Sequence, residues 1–160
     1  MTGLGTWLKP DETLRAALDA KDRRAVQAPQ DYFTALPASY AAQAEALQVI
    51  ADHVCSHFPD TYFRMGPQID IIPAFRRLRL DDPLTPPLLI AAGLVAEDIL
   101  VVEKDAGQWR VTARAAVGTT SDIDETLLDD LPPLRPCFRP ARTLVKLPGS
   151  EAVLITVCPS

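Results

Sequence analysis

The fold of this 160-residue chain is decided by residues 89–117, LIAAGLVAEDILVVEKDAGQWRVTARAAV. They predict a short helix followed by a β-hairpin. We predict strands over residues 99–103 and 108–117, joined by a turn at 104–107 in which Gly107 can adopt a positive φ. Side chains alternate between the two faces of a strand. The residues of the second strand that are predicted to share one face are Trp109, Val111 and Ala113.

A second hairpin is predicted over residues 138–157, FRPARTLVKLPGSEAVLITV. Its strands are residues 142–147 and 152–157, with Pro148, Gly149 and Ser150 in the turn. The last strand reads AVLITV and is apolar throughout. We therefore expect it to lie centrally in a sheet, with both faces covered.

Helices are predicted mainly in the N-terminal half, over residues 10–24, 39–57 and 88–97. Ser39 is a suitable N-cap for the second of them, and Pro86-Pro87 suits the first turn of the third. The second helix has an apolar stripe at helical spacing, formed by Leu47, Ile50, Ala51, Val54 and Phe58.

The remaining segments are shorter, and proline separates them. Residues 68–72 predict a short strand, residues 122–130 a short acidic helix or loop, and residues 131–140 a proline-punctuated loop. Helices followed by antiparallel strands indicate an α+β fold. We expect one domain over residues 1–160, with helices packed on one face of a curved sheet.

Composition excludes several classes of function. The net charge of −5 argues against a nucleic-acid or anionic-membrane surface. No apolar run has the length of a membrane span, and the N-terminus does not read as a secretory signal. The three cysteines, Cys55, Cys137 and Cys158, show no pattern of a disulfide scaffold. A cytoplasmic location is the simplest expectation.

Four segments resemble, in order, the haem-dependent oxidative N-demethylase family. They are residues 5–24 (GTWLKPDETLRAALDAKDRR), 42–62 (AQAEALQVIADHVCSHFPDTY), 94–98 (LVAED) and 142–148 (RTLVKLP). No single segment is specific, and the order of all four carries the resemblance.

The resemblance implies a PAS-like domain, with an antiparallel sheet of about five strands and helices over one face. It also implies haem b in the cavity of the domain, with a histidine as axial ligand. The implied activity removes a methyl group oxidatively from a secondary amine, using oxygen and electrons from a flavin/iron–sulfur reductase partner, and releases formaldehyde. The implied small-molecule partner is therefore an amine or another cavity ligand.

The chain departs from the family pattern after the first hairpin. The resemblance leads us to expect an element containing a histidine there, followed by proline, valine and proline. Residues 118–137 instead read GTTSDIDETLLDDLPPLRPC and contain no histidine. Two hypotheses follow: a compact haem protein of the demethylase type, or a non-catalytic PAS-like module that binds a small molecule, or serves as an accessory subunit, without iron.

The histidines of the chain are His53 and His57, one helical turn apart. At this spacing both rings can reach one metal ion, and either could be an axial haem ligand. The helical wheel places His53 near solvent and His57 at the edge of the apolar stripe. A surface pair near a helix C-terminus is the simpler interpretation.

Other candidate residues lie beside the two hairpins. Arg139 and Arg142 could pair with a haem propionate or a substrate carboxylate, although solvated strand ends are as compatible with their positions. Cys137 and Cys158 could offer a thiolate to haem, but an inert thiol is the simpler interpretation.

Glu97 and Asp98 could act as acid and base. Because they are adjacent at a helix-to-strand junction, we expect them to point apart, with Asp98 capping the junction.

Overall fold

A computed structural model describes residues 7–116, 125–139 and 142–158 of the chain. The helices are α1 (Leu14–Gln27), α2 (Pro29–Tyr32), α3 (Tyr40–His57), α4 (Pro87–Ala92) and α5 (Glu125–Asp129). The strands are β1 (Phe33–Ala35), β2 (Tyr62–Met65), β3 (Gln68–Ile71), β4 (Arg76–Arg79), β5 (Asp98–Asp105), β6 (Gln108–Ala115), β7 (Cys137–Arg139), β8 (Arg142–Lys146) and β9 (Val153–Val157). This element order confirms the predicted α+β class.

The described strands form two antiparallel sheets. The larger one has six strands in the order β1-β6-β5-β9-β8-β7, and the smaller one has the order β2-β3-β4. Both predicted hairpins are present, as β5–β6 and β8–β9. Strand β9 lies between β5 and β8, which confirms its predicted central place. The PAS-like character and the single-domain organisation stay predictions.

Each face of the larger sheet is covered by its own set of elements. Helices α1, α3 and α4 pack over one face, where Ile99, Val101 and Leu154 point. Helix α5 contributes Leu128 to the opposite face, together with Val153 from β9. The apolar stripe predicted for α3 is confirmed for Leu47, Ile50, Ala51 and Val54, which are buried, whereas Phe58 caps the helix and is partly buried.

A β-bulge in the first hairpin makes the predicted faces of β6 wrong. Val101 pairs with Ala113, whereas Val102 pairs with Val111, so Thr112 is the extra residue. One extra residue reverses the alternation of side chains beyond it. Trp109 and Val111 therefore pack on the α5 side of the sheet, and Ala113 packs on the opposite side.

Other boundaries also differ from the predictions. Helix α1 spans Leu14–Gln27 rather than residues 10–24. Helix α4 ends at Ala92 rather than at residue 97, because side chains from elsewhere bind the carbonyl groups that would continue it. The segment 131–140, predicted as a loop, contains β7, which pairs with β8 at the edge of the sheet. The strands β1, β2 and β4 are additional to those predicted.

Candidate functional site

A cleft lies where the α4–β5 junction, the N-terminal segment and the strands β7, β8 and β9 approach one another. It has two adjoining compartments of about 300 Å³ and 240 Å³, of the size that small-molecule sites occupy. Leu8, Lys9, Glu97 and Cys158 line both compartments. We call it the Glu97 cleft, because the carboxylate of Glu97 faces both parts.

Glu97 is an acidic lining residue in an environment that disfavours its charge. Burial raises the pKa of its carboxyl group, and the nearby carboxylates of Asp11 and Asp98 act in the same direction, whereas Lys21 opposes them. Its own backbone N–H donates to it, and no side chain among the described residues forms a hydrogen bond or ion pair with it. A partly buried carboxylate without such a partner can bind a cation from solution.

Two buried side chains fix the segment that carries Glu97. The ammonium group of Lys21 donates hydrogen bonds to the carbonyl oxygens of Ala92 and Val95, each at 2.8 Å, and also to the carbonyl of Glu97. The hydroxyl of Tyr62 donates to another carbonyl of the same segment at 2.6 Å. Burial lowers the pKa of Lys21 to about 8. These bonds satisfy carbonyls that leave helix α4 and hold the Glu97 backbone in place.

Asp98 lies outside the cleft that the adjacent Glu97 lines, as expected for two neighbouring residues that point apart. Its carboxylate lies 3.3 Å from the guanidinium of Arg24, and it lines neither compartment. Arg24 also donates to the carbonyl of Ala116 at 2.9 Å. Asp98 is therefore used structurally, and of these two adjacent residues only Glu97 lines the cleft.

The N-terminal wall of the cleft is anchored through Trp7. Its indole Nε1 donates to the hydroxyl of Thr156 on β9 at 3.0 Å, and its carbonyl accepts a hydrogen bond from Nε2 of His53. The next residue, Leu8, is buried in the left-handed region at φ 55°. Such a backbone is costly outside glycine and persists only where its surroundings enforce it. The hydrogen bonds that join Trp7 to Thr156 and to His53 constrain the backbone next to Leu8.

The placement of His53 corrects the sequence-based expectation. Its side chain is 4% exposed, rather than near solvent, because the indole ring of Trp7 packs against it at 4.9 Å between centroids. His57 is exposed, and its ring stacks on that of His53 at 4.5 Å. Its Nδ1 donates to the carbonyl of His53 at 3.1 Å. The two rings are adjacent, as predicted, but neither lines the Glu97 cleft.

The positions of the histidines do not fit a haem held in the cleft through an imidazole. The chain has two histidines, and Nε2 of His53 is bound to the Trp7 carbonyl. Its Nδ1 is buried without a partner, but the rings of Trp7, His57 and Phe58 enclose it. Within the described parts of the chain, no group of three or more His, Cys, Asp or Glu side chains could hold a metal ion.

The thiols do not replace the imidazole. Cys158 lines the cleft, but burial and the facing carboxylate of Glu97 raise the pKa of its thiol, which disfavours the thiolate that iron prefers. Cys137 packs on the α5 side of the sheet, away from the cleft.

Arg142 forms the basic side of the cleft. It lies at the start of β8, paired in register with Arg139 of β7, and lines the smaller compartment with Phe138 and Thr143. The side chain of Arg139 lies outside the described residues. The structure therefore brings Arg142 to the same cleft as Glu97, and leaves both histidines elsewhere.

Another cleft, on the smaller sheet, is less suited to a charged ligand. It has a volume of about 390 Å³ and is lined in part by Phe75, Arg76 and Arg77. Both arginines are already engaged: Arg77 pairs with Asp70 at 2.8 Å, and Arg76 forms ion pairs with two aspartates of α1.

The four sequence segments that carry the resemblance converge on the Glu97 cleft. Residues 5–24 supply Leu8 and Lys9, residues 42–62 supply Tyr62, residues 94–98 supply Glu97, and residues 142–148 supply Arg142. Sequence reasoning missed Lys9 and Tyr62 as lining residues. Their membership of these segments was the available signal, because distant segments that share a resemblance can share a site.

Comparison with known proteins identifies the family. Residues 2–121 match the model of a family described as haem-dependent oxidative N-demethylase, alpha subunit-like. Since the match covers most of the chain, the protein belongs to this family, and the resemblance inferred from the sequence is confirmed. A search of the curated proteins finds no match. None of the helices in the described parts of the chain has the length and apolar character needed to cross a membrane.

Proposed function

We propose that this member of the haem-dependent oxidative N-demethylase alpha subunit-like family binds a small organic amine in the Glu97 cleft without a haem of its own. The observation that carries the proposal is the convergence of the four family-like segments on a partly buried carboxylate. An ammonium group is the natural partner of such a carboxylate, because it neutralises the charge and donates hydrogen bonds.

The haem-containing alternative rests on the family description, which names haem, oxidative demethylation and an alpha subunit. His57 as the ligand of haem b, with Arg139 and Arg142 at the propionates, stays a prediction. The exposed position of His57 and the enclosure of His53 speak against it. Without iron, amine binding needs no electrons, and therefore no flavin/iron–sulfur reductase.

The chemistry that the described residues can perform is binding and proton exchange. An amine that enters as its ammonium form would favour the ionised form of Glu97 and return its raised pKa towards the usual range. At a pH near the raised value, binding should therefore release a proton from Glu97. Lys21 and Tyr62 would keep the carboxylate in position while its charge changes.

Titration of the purified protein with hemin, followed by absorption spectroscopy, tests the absence of haem. We expect no saturable Soret shift at one equivalent, and the His57→Ala variant should give the same spectrum as the wild type. A stoichiometric shift that His57→Ala abolishes would replace the proposal with the haem hypothesis.

Amine binding is tested with dimethylammonium chloride against sodium chloride at matched ionic strength. Since a ligand gains at most about 1.5 kcal/mol per heavy atom, the dissociation constant should be about a millimolar or weaker. Glu97→Gln should weaken binding by about tenfold or more, the value of a charge-assisted hydrogen bond. Glu103→Gln, on strand β5 just after Glu97 in the chain but outside the cleft, is the matched control. Equal binding by Glu97→Gln and the wild type would exclude this site.

A further inference from the structure

We infer that the ligand of the Glu97 cleft is a zwitterion that carries a carboxylate in addition to its amine. This inference rests on the proposed function and extends it to the class of ligand. It starts from the distribution of charge between the two compartments.

The two compartments have opposite charge. The larger one contains Asp11 besides Glu97 and is acidic. The smaller one contains Arg142 and no acidic residue other than the shared Glu97. A ligand that extends through both compartments therefore meets carboxylates at one end and a guanidinium at the other. An ammonium and a carboxylate on one small molecule match this polarity.

Arg142 is the residue type best suited to the carboxylate. A guanidinium carries five N–H donors in a planar fork that binds both oxygens of a carboxylate. A guanidinium can donate to a ligand and to a protein acceptor at the same time, so the inference is compatible with other interactions of Arg142. Lys9 lines both compartments from an exposed position and adds positive charge at the rim.

The walls around Arg142 provide contacts for the middle of the ligand. Phe138 lines the smaller compartment and is 41% exposed, so its ring offers apolar surface to methyl and methylene groups. Thr143 and Thr156 lie in the same wall, and the hydroxyl of Thr156 accepts the hydrogen bond from Trp7. A short N-methylated amino acid combines all the matching parts: an amine, a carboxylate and a small apolar body.

The test compares dimethylamine with secondary amines that carry a carboxylate at increasing distance from the nitrogen. The series is N-methylglycine, N-methyl-β-alanine and 4-(methylamino)butanoate, with 2-(methylamino)ethanol as the uncharged control. Calorimetry or ligand-observed nuclear magnetic resonance measures each dissociation constant. At least one amino acid should bind about tenfold or more tightly than dimethylamine, because a guanidinium–carboxylate bond adds the strength of a charge-assisted hydrogen bond.

Variants separate the two ends of the ligand. Arg142→Gln should remove the advantage of the amino acids over dimethylamine, with the affinity of the same variant for dimethylamine as the reference, whereas Arg142→Lys should keep part of that advantage. Arg110→Gln, an exposed arginine of β6 outside the cleft, is the matched control. Circular dichroism and thermal unfolding establish that each variant is folded, and Lys9→Gln provides a second, exposed position at which the gain should decrease.

The possible outcomes distinguish this inference from the proposed function. Suppose that no amino acid binds more tightly than dimethylamine, while Glu97→Gln weakens the binding of amines and amino acids alike. The inference of a zwitterionic ligand is then wrong, and the proposed amine site remains supported. If acetate binds as tightly as the amino acids, the cleft is a carboxylate site and the inference is overturned. If neither amines nor amino acids bind, both the inference and the proposed function are wrong.

Discussion

The hydrogen bond from His53 to Trp7 offers a direct test of how the cleft wall is built. His53→Phe keeps a ring of similar size but removes the Nε2–H that donates to the buried Trp7 carbonyl. Leaving a buried acceptor without its donor costs about 1–3 kcal/mol. Because Nδ1 of His53 is itself buried without a partner, phenylalanine also removes a polar atom that is costly to bury. We therefore expect the free energy of unfolding at about pH 7.5 to fall by about 1–2 kcal/mol.

The pH dependence makes this prediction specific to the imidazole. Burial lowers the pKa of His53 below 6.5; the hydrogen bond to Trp7 opposes the shift, and the neighbouring His57 adds to it. As the pH falls below the pKa that His53 has in the unfolded chain, the unfolded chain binds more protons than the folded protein. The wild-type free energy of unfolding should consequently decrease through this window. His53→Phe lacks this titration, so the difference between variant and wild type should shrink in acid.

Urea unfolding at about pH 7.5, 6.5 and 5.5, followed by tryptophan fluorescence and extrapolated linearly, measures both effects. His57→Gln serves as the control, because its ring is exposed and the bond to Trp7 remains. A variant as stable as the wild type at about pH 7.5, or a deficit that is constant over this range, would refute the role of His53 as the donor that secures the cleft wall.

Three further substitutions have signed expectations that the same unfolding experiments check. Glu45→Gln should lower the free energy of unfolding by about 0.5–1.5 kcal/mol at neutral pH, because the carboxylate accepts hydrogen bonds from the backbone N–H groups of Gly149 and Ser150. Burial acts to raise the pKa of Glu45, but these hydrogen bonds outweigh burial and lower the pKa. The difference in unfolding free energy between Glu45→Gln and the wild type should therefore disappear as the pH falls through the folded-state pKa of Glu45. Ala106→Asn should add about 0.5–1 kcal/mol, since Ala106 has φ 53° in a tight hairpin turn that favours asparagine; an unchanged midpoint would contradict this. Glu97→Gln should raise the free energy of unfolding at about pH 7.5 by about 0.5–2 kcal/mol. Because the pKa of Glu97 is raised in the folded protein, the wild type loses stability as the pH rises from 4.5 through that folded-state pKa. A variant less stable than the wild type would indicate a structural role for Glu97.

Much of the fold could be predicted because local patterns carry it. The stripe of α3 repeats at helical spacing, and the apolar run of β9 is long enough to require cover on both faces. The β-bulge at Thr112 has no such signal: one extra residue reverses the faces of β6, and no residue near it marks the position. Strand β1 pairs with β6 across a long sequence separation, which residues 33–35 alone do not reveal.

The burial of His53 could not be predicted for a related reason. A helical wheel assigns exposure from the residues of one helix, and on that wheel His53 lies away from the stripe. The residue that covers it is Trp7, far away along the chain. The sequence likewise gives no sign that Lys21 is buried, because the three carbonyl groups that its ammonium binds lie far away along the chain.

The contrast between Glu97 and Asp98 is the strongest argument that the cleft binds a ligand. Both are adjacent carboxylates whose pKa burial raises. The charge of Asp98 is balanced by an ion pair with Arg24. A cationic side chain can therefore reach a partly buried acid at this junction. Glu97 has no such side-chain partner among the described residues, while Lys21 and Tyr62 rigidly hold the segment that carries it. A carboxylate that only its own backbone N–H and the charge of Lys21 stabilise is costly for stability, and an ammonium from outside the chain would lower that cost.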